Sequence, residues 1–337
     1  MMLQTLTPAR PVAAAPVPAA NAKRCDLCGC ERFELIADRD RHGETLITAM
    51  CLDCGLVCHA EIPTDQQLAE FYAWEYRRAY HGETVPSPRR VMRAWKNGQR
   101  ILKQLKPCVP AGASVCEVGA GLGCTVKAFQ CAGFDAVGID PGRDFIAYSR
   151  GRLQAPVEAA DLYDLPPAGQ FDLVLLVHVI EHFNSPRRAL NHIRKLLKPG
   201  GQLYIECPNL AAPPACFEKL FHYAHIHNFT PATLRMMAEQ AGFEVQRVFS
   251  REDHPNLQVL LQSSDRPAGA IDRASVALTR RSLERAHHRV RYHLRPRYVA
   301  RRLAKLTGYA REHLIGRWFV RHLEQRLTGA GGLPAIS

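Results

Sequence analysis

No stretch of the chain approaches the ~20 consecutive apolar residues that a membrane-spanning helix needs, so the sequence gives no candidate for one. Nor does the start, Met1 to Arg24, build the apolar run of a signal peptide; rich in Ala and Pro, it reads as a disordered leader. The expected location is therefore the cytoplasm, where disulfides are rare, and the 12 cysteines are expected to be thiols or metal ligands. Acidic residues are scarce towards one end. From Arg273 to Arg326 only three Glu oppose 15 Lys and Arg, and this segment carries the whole net charge of +12. The remainder is close to neutral, which argues against a body shaped to bind nucleic acid. No internal repeat is visible. What is present is ordinary: 337 residues at 47% hydrophobic content can supply one full-sized domain with smaller attachments.

Six of the cysteines fall between Cys25 and Cys58. Cys25-Asp-Leu-Cys28-Gly29 and Cys51-Leu-Asp-Cys54-Gly55 are paired CxxCG units, and four thiolates can close a tetrahedral Zn²⁺ site of the structural kind. The Gly after each pair suits a tight turn, a setting that Cys30 and Cys58 lack. FELIADRD and GETLITAM between the pairs read as two short strands, so residues 25–63 are expected to form a zinc ribbon. Residues 64–99, heavy in Tyr and Arg, read as a helical linker or substrate lid, with Tyr72, Tyr76, Arg77 and Tyr80 as candidate acceptor contacts. Packing of those aromatics against the core is the competing account.

Across residues 100–264, strand-like apolar runs alternate with helical patterns, as in a parallel sheet with crossover helices. FDLVLLVHV is almost continuously apolar, as a strand buried on both faces should be. VCEVGAGLG runs from a strand into a glycine turn that opens a helix. Gly119, Gly121 and Gly123 would let the backbone pass close to a ligand, and Asp140, ending the next strand, could accept from two ribose hydroxyls. The turn alone would also fit a dinucleotide fold. Two details favour S-adenosylmethionine (SAM): Cys124 stands where GxGxxG wants its third Gly, and Glu117 would repel a pyrophosphate but suits a methionine amino group.

Glu117-Val-Gly-Ala-Gly-Leu-Gly123, Asp140, AADLYDLP, FDLVLLVHVIEHF, LKPGGQLYIECPN and AGFEV together resemble the successive motifs of class I SAM-dependent methyltransferases, from about Ser114 to Val245. The resemblance implies an α/β, Rossmann-like, doubly wound sheet of seven mostly parallel strands in the order 3-2-1-4-5-7-6, with NLQVLLQS antiparallel. It also implies that Asp161 bonds the adenine amino group and that Leu162 packs on the ring, and His178 joins the expected cofactor contacts. The paired CxxC units and FYAWEYRRAY are similar to methyltransferases of sugar and polysaccharide biosynthesis, including sugar C-methyltransferases. That similarity implies a nucleotide-sugar or glycan acceptor.

Methyl transfer from a sulfonium is an in-line displacement in which positioning supplies much of the rate, and an oxygen or carbon acceptor also needs a base. The resemblance puts the acceptor at the carboxyl ends of the strands, which makes His182, His225 and His227 the candidate catalytic residues, beside Glu181. A bracing role for His182 is the competing reading. His178-Val-Ile-Glu181-His182 also matches the HxxEH string of some zinc proteases. Continued as a strand, it would hold the two imidazoles roughly 13 Å apart, which argues against that chemistry. Residues 265–337 form a basic amphipathic helical tail, with Val276, Leu283 and Val290 seven apart and Leu303, Leu306, Leu314, Trp318 and Leu323 along a second stripe. It could pack on the protein with a solvated arginine face, touch the inner face of an anionic membrane, or contact nucleic acid. Methylation of RNA or protein, and SAM binding without catalysis, are the alternatives to a small or carbohydrate-type acceptor.

Overall fold

A computed structural model describes residues 24–72, 85–213, 215–287 and 296–327. The expectations for the leader before Arg24 and for Tyr76, Arg77, Tyr80 and Val290 lie outside these residues, as do those for the side chains of Leu303 and Leu306. No helix among the described residues is long and apolar enough to cross a membrane.

The centre is a seven-stranded sheet. Its strands in chain order are β4 (Ser114–Val118), β5 (Asp135–Asp140), β6 (Val157–Ala159), β7 (Phe171–Val177), β8 (Leu197–Pro208), β10 (Phe243–Val248) and β11 (Asn256–Ser263). They lie side by side as β10-β11-β8-β7-β4-β5-β6, which is the order 3-2-1-4-5-7-6. Only β11 runs against the others, pairing antiparallel with both β8 and β10. Leu173, Val174, Leu175 and Leu176 of β7 are all buried, because helices cover both faces of this central strand.

The crossover helices begin where the sequence provides caps. The Ser185 hydroxyl accepts from the Arg188 amide at 3.1 Å and Pro186 opens α5 (Pro186–Leu196). Thr230 and Thr233 form a reciprocal cap on α6 (Pro231–Gln240). On the other face, α2 (Pro88–Leu105) packs against α3 (Cys124–Cys131) so closely that a Cβ on Gly98 would stand 2.9 Å from the Thr125 backbone. The long α8 (Pro296–Leu327) lies on α2, tied by an Arg93–Glu312 ion pair, while the Tyr148 hydroxyl donates to Glu324 at 2.8 Å.

A second sheet lies at one end. β1 (Phe33–Arg39) and β2 (Thr45–Cys51) lie between the two CxxCG turns, β3 (Val57–His59) follows the second, and the three form an antiparallel meander. Its fourth strand is supplied from far along the chain: β9 (His227–Asn228) pairs antiparallel with β3, Val57 with Asn228 and Cys58 with His227. The cysteine-bearing segment also shares its core with the large sheet. Leu27 and Leu56 are fully buried in one cluster with Phe229, Met237 and Phe243. Behind it, α7 (Ala274–His287) places the Ser275 hydroxyl 2.7 Å from the Cys54 carbonyl oxygen.

Candidate active site

The glycine turn follows β4 and is closed by the next strand. Gly119 and Ala120 donate to the Ile139 carbonyl at 2.8 and 2.9 Å. Both oxygens of Asp140 accept from amides, Gly121 at 2.8 Å and Gly142 at 2.8 Å, which fixes the carboxylate at the edge of the turn. Gly119, Gly121 and Gly123 all have positive φ. A Cβ on Gly119 would stand 2.5 Å from the Val179 side chain, and one on Gly123 would stand 2.2 Å from the Ser149 hydroxyl, so here glycine is required by space as well as by conformation.

This turn floors a cavity of about 680 Å³. Glu117, Gly119, Gly121, Asp140, Asp161, Leu162 and His178 all line it. Gly123 does not; it serves the turn from behind. Glu117 is buried, and one carboxylate oxygen has no hydrogen-bond partner among the described residues. Burial lifts its pKa to about 8, against the downward pull of hydrogen bonds from Thr125 and the Val126 amide. Asp161 accepts from the Tyr163 amide at 3.1 Å as the cap of a short 3₁₀ turn, Leu162–Asp164.

At the other end of the cavity β7 stops at Val177 and the chain turns sharply. His178 holds a left-handed φ of 57°, rare for a residue with a Cβ and a form of strain that collects at functional sites. Ile180–His182 then make one 3₁₀ turn. The HxxEH segment is therefore not an extended strand, and the wide separation of its imidazoles expected from strand geometry is corrected. Both face Glu181: His178 Nδ1 lies 3.3 Å from its Oε1, and His182 Nε2 lies 4.0 Å from the same atom. His178 and His182 line the cavity.

His225 stands behind His182, ring centroids 5.1 Å apart, with its Nε2 4.0 Å from Glu181 Oε1. Burial lowers the pKa of His182, and burial together with His182 and His222 lowers that of His225 well below the ordinary range. For His178 burial acts the same way, but Glu181 and Glu206 outweigh it and the pKa rises. His227 is placed elsewhere. It is buried in the seam between β3 and β9, bonded through Nδ1 to the Phe183 carbonyl at 3.1 Å, and is not part of the cavity lining.

Two acids matter more than the sequence reading allowed. Glu181 is the hub of three imidazoles. Glu206, the lone acid of QLYIECP, is buried on β8 and paired with Arg100 at 2.5 Å, with Asn256 and Gln258 donating at 2.9 and 3.2 Å. Burial would raise its pKa, but Arg100 and Asn256 hold it below the usual carboxylate range. Asn256 also reaches His178 Nε2 at 3.3 Å, so this pair props the strained residue. A single acid within an apolar strand was the available signal.

The four CxxCG cysteines are brought together. Cys25 and Cys54 sulfurs are 3.5 Å apart, as are those of Cys28 and Cys51, and all four lie within 4.8 Å of one another. Gly29 and Gly55 follow the pairs at φ 75° and 72°. Cys51 is pushed far below the ordinary thiol range by hydrogen bonds from Cys25, Cys28 and Cys54, while Cys54 is driven far above it.

The methyltransferase domain family matches residues 68–248. The ubiquinone biosynthesis O-methyltransferase of Bradyrhizobium sp. (strain ORS 278) is 27% identical over 104 residues, which is 29% of this chain and 41% of that protein. The protein of the same name from Pseudomonas aeruginosa (strain UCBPP-PA14) is 26% identical over 164 residues, 43% of this chain and 70% of that protein. A solved structure, the Burkholderia thailandensis 1,6-didemethyltoxoflavin-N1-methyltransferase with bound 1,6-didemethyltoxoflavin and S-adenosylhomocysteine, is 19% identical with a TM-score of 0.47, covering 62% of this chain and 96% of that one. With more than half of its residues inside the matched span, the chain belongs to the methyltransferase domain family, and the unit built on its seven-stranded sheet is a SAM-dependent methyltransferase domain.

Proposed function

We propose that the protein transfers the methyl group of SAM to a small-molecule acceptor of carbohydrate type, a nucleotide sugar or polysaccharide precursor. The observation that carries this reading is the single cavity joining the Glu117–Asp140–Asp161 cradle to the polar end at His178 and His182. Asp65, Asn184 and Tyr72 line the same end, a mixture of hydrogen-bonding groups and a ring face suited to a polyhydroxylated acceptor. His178 would receive the acceptor's proton, and His182 would help to hold the reacting group beside it. Incubation with labelled SAM and a panel of nucleotide sugars, glycans, RNA and ubiquinone precursors tests this. Label should enter a sugar, and His182→Ala and His178→Ala should each lower kcat about 10²-fold with S-adenosylhomocysteine affinity retained. Label in RNA alone overturns the acceptor class. Oxygen methylation of the kind named for the ubiquinone relatives is the second reading, favoured by their 26–27% identity.

Two further assignments belong to this reading. The four thiolates of Cys25, Cys28, Cys51 and Cys54 would hold a structural Zn²⁺. Tetrahedral Zn–S bonds of ~2.3 Å set sulfurs roughly 3.8 Å apart, close to the spacing seen here. The last helix would touch an anionic membrane surface. On α8, Leu314 is 83% and Trp318 60% exposed, among exposed Arg311, Arg317 and Arg321. The full-length chain should pellet with phosphatidylglycerol vesicles at low salt, and the Leu314→Ala, Trp318→Ala double variant should lose most of that binding. Absence of pelleting at low salt removes the membrane contact.

A further inference from the structure

Three electron-pair donors converge beside the acceptor end of the cavity. Glu181 Oε1 lies 4.0 Å from His182 Nε2 and 4.0 Å from His225 Nε2, and the donor atoms of the three residues all fall within 4.8 Å of one another. The tautomer of His182 is constrained. Its Nδ1 is 2.6 Å from the Ala224 carbonyl oxygen, an acceptor that can only receive an N–H, so in the neutral ring the lone pair sits on Nε2, the atom turned towards Glu181. A histidine oriented by a backbone carbonyl through its other nitrogen is how metal-bound imidazoles are held.

Glu181 itself is 1% exposed, and its Oε2 has no hydrogen-bond partner among the described residues. A carboxylate this deeply buried is costly without positive charge nearby. No Lys or Arg side chain is ion-paired with it among the described residues; its ion-pair partners are the three histidines.

We infer that Glu181, His182 and His225 form a second metal site, for a divalent cation of the zinc or manganese kind, separate from the four cysteines. Two His and one Glu with an unfilled side are the donor set of catalytic sites, whereas structural sites close all four positions. Bonds of ~2.0–2.2 Å set donor atoms roughly 3.0–3.5 Å apart, so the two 4.0 Å Glu181–His separations need to close by about 0.5–1 Å, within reach of side-chain rotations. Of the three residues His182 lines the cavity, so the site adjoins the acceptor end.

The inference rests on the reading of that cavity as the acceptor site and narrows it to an acceptor presenting a hydroxyl. The cation would bind the hydroxyl oxygen and lower its pKa, and the proton passes to His178 in the same cavity. The oxygen then attacks the methyl carbon. The O–C bond forms as the C–S bond breaks, its electron pair stays on sulfur, and S-adenosylhomocysteine is left.

The test uses the full chain with one equivalent of Zn²⁺ already bound, titrated with further Zn²⁺, with total bound metal counted by mass spectrometry. Two equivalents are expected. Glu181→Gln and His225→Ala should each retain one, with S-adenosylhomocysteine affinity unchanged. In the unaltered protein, Co²⁺ added after one equivalent of Zn²⁺ should give visible bands of nitrogen- and oxygen-ligated cobalt without thiolate charge transfer. One equivalent in the unaltered protein, or no such cobalt spectrum, overturns the site, as do two equivalents kept in both variants. Loss of S-adenosylhomocysteine binding by the unaltered protein would instead strike the reading of the cavity.

Discussion

Binding of S-adenosylhomocysteine near pH 6.5 will release close to one proton per site, and affinity will rise about tenfold per pH unit up to about pH 8. The cause is Glu117. Burial lifts its carboxyl to about 8, so the ligand-free protein holds it protonated at neutral pH. The ligand arrives with an ammonium group, and a charge-assisted hydrogen bond to that group is available only to the carboxylate. Binding therefore expels the proton, and the dependence flattens once pH exceeds the free-state pKa. The folding linkage has a definite sign. Folded protein keeps a proton that the unfolded chain gives up near 4.5, so without ligand stability falls as pH rises from about 4.5 to about 8. At pH 8 the cost is about 4 kcal/mol, at 1.36 kcal/mol per unit between 4.5 and about 8. Glu117→Gln removes the penalty and the ligand's partner together. It should be more stable than the unaltered protein at pH 8 while binding S-adenosylhomocysteine about 10- to 100-fold more weakly, with no proton released. Calorimetry in buffers of different ionisation enthalpy measures the proton count; an enthalpy independent of buffer would defeat this account.

The parts of the molecule that sequence made legible are those encoded by short-range pattern. The glycine turn announces itself because positive φ at Gly119, Gly121 and Gly123 excludes other residues there. The buried strand β7 is, apart from Asp172, an apolar run, and the paired CxxCG units carry their turn geometry within five residues each. The sheet order followed from resemblance across successive motifs. What stayed hidden depends on contacts distant in the chain. Nothing periodic in HIHNFTP marks a two-residue strand, yet His227–Asn228 completes the small sheet. A histidine in a polar loop reads as chemistry, and pairing with Cys58, some 170 residues earlier, instead buries it. Glu181 was seen only as a neighbour of His182. Its place as a hub comes from the turn at His178, which abandons strand geometry one residue after an ideal strand pattern ends.

Removing the Zn²⁺ that we propose the four thiolates hold, or changing Cys51→Ser, should unfold more than the cysteine-bearing segment. An independent module would leave the methyltransferase domain intact, but here the two share one core. Cys25, Cys51 and Cys54 are buried in the same cluster as Leu234 and Phe243, the Ser275 hydroxyl donates to the Cys54 carbonyl, and Arg280 of α7 pairs with Glu34 of β1 at 2.5 Å. Loss of a closed zinc site removes the constraint that holds the two turns together, and buried thiols without it are left against one another. The β3–β9 pairing then loses its support, and with it the segment from His222 to Asn228 that carries His225. A penalty of about 3–5 kcal/mol is expected, as for loss of a metal or disulfide in a small core. Thermal unfolding should stay a single transition and fall by more than 5 °C. Two separate transitions, with the upper one unmoved by chelator and S-adenosylhomocysteine affinity preserved, would show the cysteine-bearing segment to be dispensable to the domain it adjoins. Hydrogen exchange gives the finer readout. Protection at the Cys58 amide and across His227–Asn228 should be lost first, because a two-residue strand has no cooperative reserve of its own once its partner loosens.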